Sequence, residues 1–368
     1  MSLRLSKSLA ARYPWVTPPF IVSAPMRVMS GPALAVNVSR AGGLGFIGPG
    51  TKTQDTITDL QEATSLLKSK SNSPGTGVTL PNTPLPVGVG FQLWSDDLDT
   101  AARAIQLHQP CAAWLFAPCN MQELFKWIKR IRDTSPNTQI WVQIGTVGEA
   151  REILHQHKLN STNDTSPDVL VIQGAEAGGH GRATDGMGLM TLFPEIADLV
   201  ASSSAKQIPL FAAGGIADAR GASAALCLGA SGIVLGTRFL ASTEARISKG
   251  YQNEIVRASD AAVSTTRTLL YNHLRGTMGW PKEYSPRGVV NRSYVEHCEG
   301  RAFEELKKEH DKALKMGDLG WGPEGRLATY AGAGIGLIKG VKDAGSIVEE
   351  VRRGVLGRVK GEEIRSVL

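Results

Sequence analysis

Cysteine is scarce and scattered: Cys111, Cys119, Cys227 and Cys298 show no CxxC spacing and no accompanying histidine cluster. That excludes a zinc site and a disulfide framework as organising features, so no metal is expected. Long apolar runs are also missing. Stretches such as 231–241 fall far short of the roughly 20 residues a membrane span needs, so no membrane partner is expected. No basic stripe interleaved with aromatics occurs, and the net charge of +6, from 40 basic and 34 acidic residues, reads as solubility and not as nucleic-acid binding. Acidic residues are absent from 1–54. Arg4, Lys7 and Arg12 among serines there give a faint transit-peptide pattern. A cytoplasmic location is the expectation, organellar import the alternative, and the fold is expected to begin by residue 20. Oligomeric state is left open.

Glycine, by contrast, is abundant and placed where strands end. Val169–Gln173 reads as a short buried strand that runs into GAEAGG, a backbone too glycine-rich to continue it, and His180 follows on that loop. A histidine after glycines is on its own more often structural than catalytic. About thirty residues on, strand, glycine turn and helix start recur: Gly214 and Gly215 end one strand, and 233–235 is a second that runs into Gly236 and Thr237. Both turns offer backbone N–H groups to an anion.

Along the chain, strand candidates fall at 20–24, 45–48, 85–91, 112–116, 139–144, 169–173, 210–213 and 233–235, each followed by a helical segment. Eight such units fit an α/β fold of the (β/α)8 TIM-barrel type better than an open doubly wound sheet. In that geometry chemistry sits on loops after strand C-termini, and the phosphate site is commonly built after strands seven and eight. The loops 70–84 and 158–168 follow helices and belong to the opposite face. The spacing breaks beyond about residue 260, so the expected division is an 18–260 barrel and a mainly helical appendage or lid over 261–368, partly packed on the barrel.

The motifs APM (24–26), AGGLGFIG (41–48), QGAEAGGHGR (173–182), AAGGIADARG (212–221) and GTRFLAS (236–242), in that order over about residues 18–300, resemble the fungal-type nitronate monooxygenase family, formerly the 2-nitropropane dioxygenases. The resemblance implies an FMN-dependent flavoprotein monooxygenase that oxidises alkyl nitronates, and neutral nitroalkanes if a base is present, with O2 to a carbonyl compound and nitrite. It further implies that Ala24, Pro25 and Met26 pack main chain against the flavin, that Gln143 and Gln173 lie at its polar edge, and that Gly178 and Gly179 border flavin or substrate. Ala213, Gly214, Gly215, Gly236 and Thr237 would hold the phosphate. His180 would be the catalytic base, since imidazole near its own pKa can remove the acidic C–H proton of a nitroalkane.

The sequence departs from some relatives, which place a basic residue at 143, an Asp at 173 and an Asn at 90. A neutral amide at 143 stabilises a reduced, anionic flavin less than a lysine would, and Gln92, two residues beyond Gly90, is the candidate replacement for the missing Asn. Two alternatives stay open: an FMN- and NAD(P)H-dependent enoyl-thioester reductase on the same barrel, and a flavin-binding protein that turns nothing over. An IMP-dehydrogenase-like reading needs a cysteine in 174–189, and there is none.

Overall fold

A computed structural model describes residues 3–69, 84–159, 165–203, 205 and 208–359. The strands are β1 (Phe20–Ser23), β2 (Phe46–Ile47), β3 (Leu85–Gln92), β4 (Pro110–Phe116), β5 (Gln139–Ile144), β6 (Val169–Gln173), β7 (Gly179–Arg182), β8 (Leu210–Ala213), β9 (Gly232–Leu235), β10 (Thr265–Arg267) and β11 (Tyr284–Val289). Eight of them form one parallel sheet in the order β1-β9-β8-β6-β5-β4-β3-β2. The ends meet at a parallel bridge between Val22 and Leu44, where Leu44 N–H donates to the Ile21 carbonyl (2.9 Å) and Ser23 N–H to the Leu44 carbonyl (3.1 Å). This is the (β/α)8 barrel that the strand count implies. The expected bottom loop at 70–84 lies almost wholly outside the described residues, as does 160–164 of the other.

The unbroken apolar runs of the strands follow from burial on both faces. In β6, Val169 and Val171 point into the barrel with Phe20, Phe46, Trp114, Trp141 and Phe211. Their neighbours Leu170 and Ile172 face the outer helices. Helix starts are set by short polar side chains: Asp97 accepts from Thr100 N–H, Asn120 from Glu123 N–H, and Asp218 from Arg220 and Gly221 N–H, which satisfies donors that a helix N-terminus cannot pair internally.

Three features bear on the expected domain bounds. Order is present before residue 20: a helix spans Leu3–Arg12, Leu9 and Tyr13 are fully buried, and Tyr13 Oη accepts from Trp141 Nε1 at 2.8 Å. The segment after 260 is mainly helical, and it also carries two strands: β10 and β11 pair antiparallel, and β11 also takes β7 as a partner, with Pro286 opposite His180. Part of the segment after 260 packs on the barrel. The helix Ala344–Val359 packs between helices Ala219–Cys227 and Pro32–Arg40 and adds Ile347, Val348, Val351 and Val355 to the layer outside the strands. Arg352 ties it to the Ala41 and Gly42 carbonyls (2.9 and 2.8 Å). It therefore serves as the outer helix after the eighth barrel strand, and the chain between Thr237 and Asp343 is an excursion over the C-terminal ends of the strands.

Candidate active site

The strand C-termini surround a cavity of about 360 Å³, within the roughly 300–1,000 Å³ range of small-molecule sites. All the residues expected to bind cofactor line it. Ala24, Pro25 and Met26 come from the end of β1, Gln143 and Gln173 from the ends of β5 and β6, Gly178 and Gly179 from the loop before and start of β7. Ala213, Gly214 and Gly215 follow from β8, and Gly236 and Thr237 from β9.

The local reasons differ from residue to residue. Gly214 and Gly215 have φ of +101° and +72°, a region that side chains rarely adopt. At Gly178 a Cβ would lie 2.4 Å from Ala331 C and Gly332 N, whereas at Gly236 it would meet only Ala24 Cβ at 3.8 Å and Met26 Sδ at 3.9 Å. Among the described residues, no acceptor takes the backbone N–H of Gly214, Gly215, Gly236 or Thr237. The Thr237 hydroxyl, by contrast, is engaged, accepting from Gly332 N–H at 3.0 Å.

The departures at 90 and 143 also acquire reasons. A Cβ at Gly90 would collide with Pro25 Cβ at 2.4 Å, so no asparagine fits there. Gln92 from the same strand lines the cavity, and its Oε1 is buried without a partner. Trp114 Nε1 donates to Gln143 Oε1 at 3.0 Å. That contact leaves the amide's N–H end as the group Gln143 can offer.

His180 sits on β7, and the excursion supplies the side chains that touch its ring. Trp280 stacks on it (centroids 3.5 Å, planes 5° apart) and Tyr330 meets it edge-on at 5.8 Å. Asn272 Nδ2 lies 3.0 Å from His180 Nε2, while Tyr330 Oη donates to Asn272 Oδ1 at 3.2 Å. Sequence reasoning missed Asn272, Arg275, Trp280 and Tyr330. The one signal available was YAGAG (330–334), a glycine-rich stretch much like the turns that were recognised.

Charge at the cavity is positive. Arg27 and Arg275 line it; Arg27 donates to the Gly50 and Thr51 carbonyls (3.2 and 3.3 Å), and Arg275 lies over the Tyr330 ring. Among the described residues neither has an ion-pair partner. Burial first, then the positive charges of Arg267, Arg275 and Arg27, pushes His180 from its ordinary 6.5 down to about 3. The imidazole is thus neutral near pH 7 and a weak base. Because the unfolded chain still titrates near 6.5, its extra proton there costs the fold: the His180 environment leaves stability unchanged above pH 6.5 and erodes it as pH falls toward 3. Denaturant unfolding across that interval should show a shallower acid loss for His180→Gln than for the parent, and equal slopes would contradict the buried neutral ring.

This barrel, with its anion-ready turns and enclosed imidazole, defines a (β/α)8 protein whose small-molecule site lies at the strand C-termini. The chain belongs to the nitronate monooxygenase family, whose model matches residues 14–69 and 131–351. It is 55% identical to nitronate monooxygenase npaC of Metarhizium robertsii over 94% of this chain and 93% of that one. It is 33% identical to a nitronate monooxygenase of Neurospora crassa over 95% and 92%. In fold it is similar to FabK from Thermotoga maritima (TM-score 0.69, 24% identity, 96% and 97% covered) and to a nitroalkane oxidase from Streptomyces ansochromogenes (TM-score 0.69, 22% identity, 96% and 99% covered). No helix among the described residues is long and apolar enough to cross a membrane.

Proposed function

We propose that this chain oxidises alkyl nitronates with O2 to a carbonyl compound and nitrite, with FMN as its cofactor. The observation that carries the reading is one cavity bordered both by two turns of unpaired backbone N–H groups and by a neutral buried imidazole. The residues fit FMN. Unpaired donors at Gly214, Gly215, Gly236 and Thr237, on neighbouring strand ends, suit a phosphate. Gln92 Oε1 is an acceptor lacking a donor, and the free amide end of Gln143 is a donor; the ring's polar edge needs both kinds. Ala24, Pro25 and Met26 with Gln173, Ala213, Gly178 and Gly179 would complete its walls. When bound, FMN supplies the capacity to take electrons from the substrate and return them to O2.

The chain's own residues choose the substrate. Arg27 and Arg275, without carboxylate partners among the described residues, draw anions toward the cavity. Trp280 covers His180 on one face and narrows access for water. An imidazole with a pKa near 3 gains little by taking a proton from a weak carbon acid, so the base role expected of His180 fits less well than the orientation of a nitronate that is already an anion. Nitronate is therefore the working substrate and neutral nitroalkane a poor one.

Purified protein should be yellow, should release FMN on denaturation, and should form nitrite from a three-carbon nitronate much faster than from the neutral nitroalkane near pH 7. Anaerobic bleaching by NADH without nitrite formation would instead establish the enoyl-thioester reductase. Bound flavin with neither activity would establish a non-catalytic binder.

A further inference from the structure

We infer that Asn272 is a positioning residue that holds His180 in the Nδ1–H tautomer, so that the ring offers the bound nitronate a hydrogen-bond donor and not a lone pair. The inference rests on the nitronate reading above and specifies how the same site recognises its substrate.

The geometry is a relay of two contacts. A tyrosine hydroxyl has one hydrogen to give. Tyr330 gives it to Asn272 Oδ1 at 3.2 Å, and no other acceptor for that hydrogen occurs among the described residues. With its oxygen so engaged, Asn272 turns its NH2 toward His180, and Nδ2 stands 3.0 Å from Nε2. An NH2 group can only donate, so Nε2 must be the unprotonated nitrogen and the ring hydrogen must sit on Nδ1. His180 lines the cavity and no described side chain or carbonyl engages Nδ1, which leaves that N–H for a guest. Tyr330 is itself fixed at its backbone, whose N–H donates to Tyr251 Oη at 2.7 Å while Tyr251 Oη donates to the Tyr330 carbonyl at 3.0 Å. Stacking on Trp280 sets the plane of the ring.

The charged groups that act on the ring all favour a donor facing an anion. They are Arg27 from the loop after β1, Arg267 from β10 and Arg275 at the end of helix Leu270–Arg275. Nitronate spreads its charge over two oxygens, and an N–H held in a desolvated, cationic pocket is suited to one of them. The opposite arrangement, with the amide turned over, would expose an Nδ1 lone pair and make His180 a base for neutral nitroalkanes. One amide orientation therefore decides which form of the substrate is accepted.

The test reads the tautomer directly, without turnover. In the flavin-loaded protein, long-range proton–nitrogen NMR of 15N-histidine, with the His180 signals assigned by their loss in His180→Gln, should show the hydrogen on Nδ1 across neutral pH. A hydrogen on Nε2 would overturn the proposal. Asn272→Asp gives a second reading, because a carboxylate only accepts: the hydrogen should move to Nε2 and the ring should become more basic. kcat/KM for nitronate should then drop about 100-fold, the scale of losing one preorganised donor, while oxidation of neutral nitroalkane rises. Unchanged tautomer, pH profile and substrate ratio in that variant would refute the role of Asn272. If it does not fold, the spectrum of the parent protein decides alone. Absence of nitrite from the parent would refute the functional reading and leave the tautomer result standing, so the two failures are distinguishable.

Discussion

Gly236→Leu should yield folded, colourless protein with no nitronate oxidation, while Gly236→Ala should stay yellow and active. The contrast follows from the space around the residue. Gly236 adopts φ −103° and ψ −79°, which side chains tolerate, and a Cβ there makes ordinary contacts with Ala24 and Met26. Alanine therefore fits. The further carbons of leucine must extend beyond Ala24 and Met26 into the cavity those residues line, beside the N–H groups of 236 and 237. Gly215, in the matching turn, is a poorer probe. Its φ is +72°, and a Cβ would lie 3.0 Å from Glu176 Cβ, whose carboxylate accepts from Leu189 N–H at the start of helix Leu189–Ala201. Substitution at 215 would thus disturb backbone and helix before it reached any ligand. Flavin absorbance per protein, set beside unfolding midpoints, separates the outcomes. Stoichiometric FMN in Gly236→Leu would remove the β8–β9 turns as its phosphate site.

The same two turns explain why half of the site is legible in the sequence. They are local: each follows directly on a strand of four residues, and in the first the positive-φ glycines and a helix start capped by Asp218 lie within a few positions of each other. The barrel is readable on similar grounds, because every strand is bounded by its own glycine or proline. Nothing comparable marks the other wall. GHGR (179–182) has no strand propensity and becomes β7 only through pairing with β11, about a hundred residues later. In β11 the proline at 286 argues against a strand with neighbours on both sides, yet that is what forms. The outer helix Ala344–Val359 follows its strand only after the long excursion, so regular spacing could not reveal it. Asn272, Arg275, Trp280 and Tyr330 are brought to His180 by this non-local pairing, and that is why the ring's surroundings, which decide its chemistry, stayed hidden when its position did not.

Arg267 joins the two walls, and Arg267→Met should be the most damaging single change at the site that leaves every cavity-lining residue in place. Its guanidinium donates to the carbonyls of Gly179 (3.3 Å), Ala175 and Ala177 (3.1 Å each) and also to that of Ser285. One side chain on β10 thereby fastens both the loop that presents Gly178, Gly179 and His180 and the strand that pairs with β7. Burial and the neighbouring Arg287 lower its pKa to about 10, so it is still charged near neutrality and is held by carbonyl dipoles in place of a carboxylate. Methionine fills much of the volume and offers no donor. Each carbonyl left unpaired costs roughly 1–3 kcal/mol, and with water entering to replace some of these bonds the net loss should be about 3–4 kcal/mol in denaturant unfolding. Freed from its anchor, the 175–179 loop need shift only about 1 Å to cost on the order of 100-fold in kcat/KM for nitronate, with weaker FMN retention alongside. Arg267→Lys separates charge from geometry, because a single ammonium keeps the charge but cannot reach four divergent carbonyls as a planar fork can. Lysine should be nearly as harmful as methionine. Near-normal activity with lysine would mean that positive potential alone is what the site requires at this position, and that the anchoring of the loop lies elsewhere.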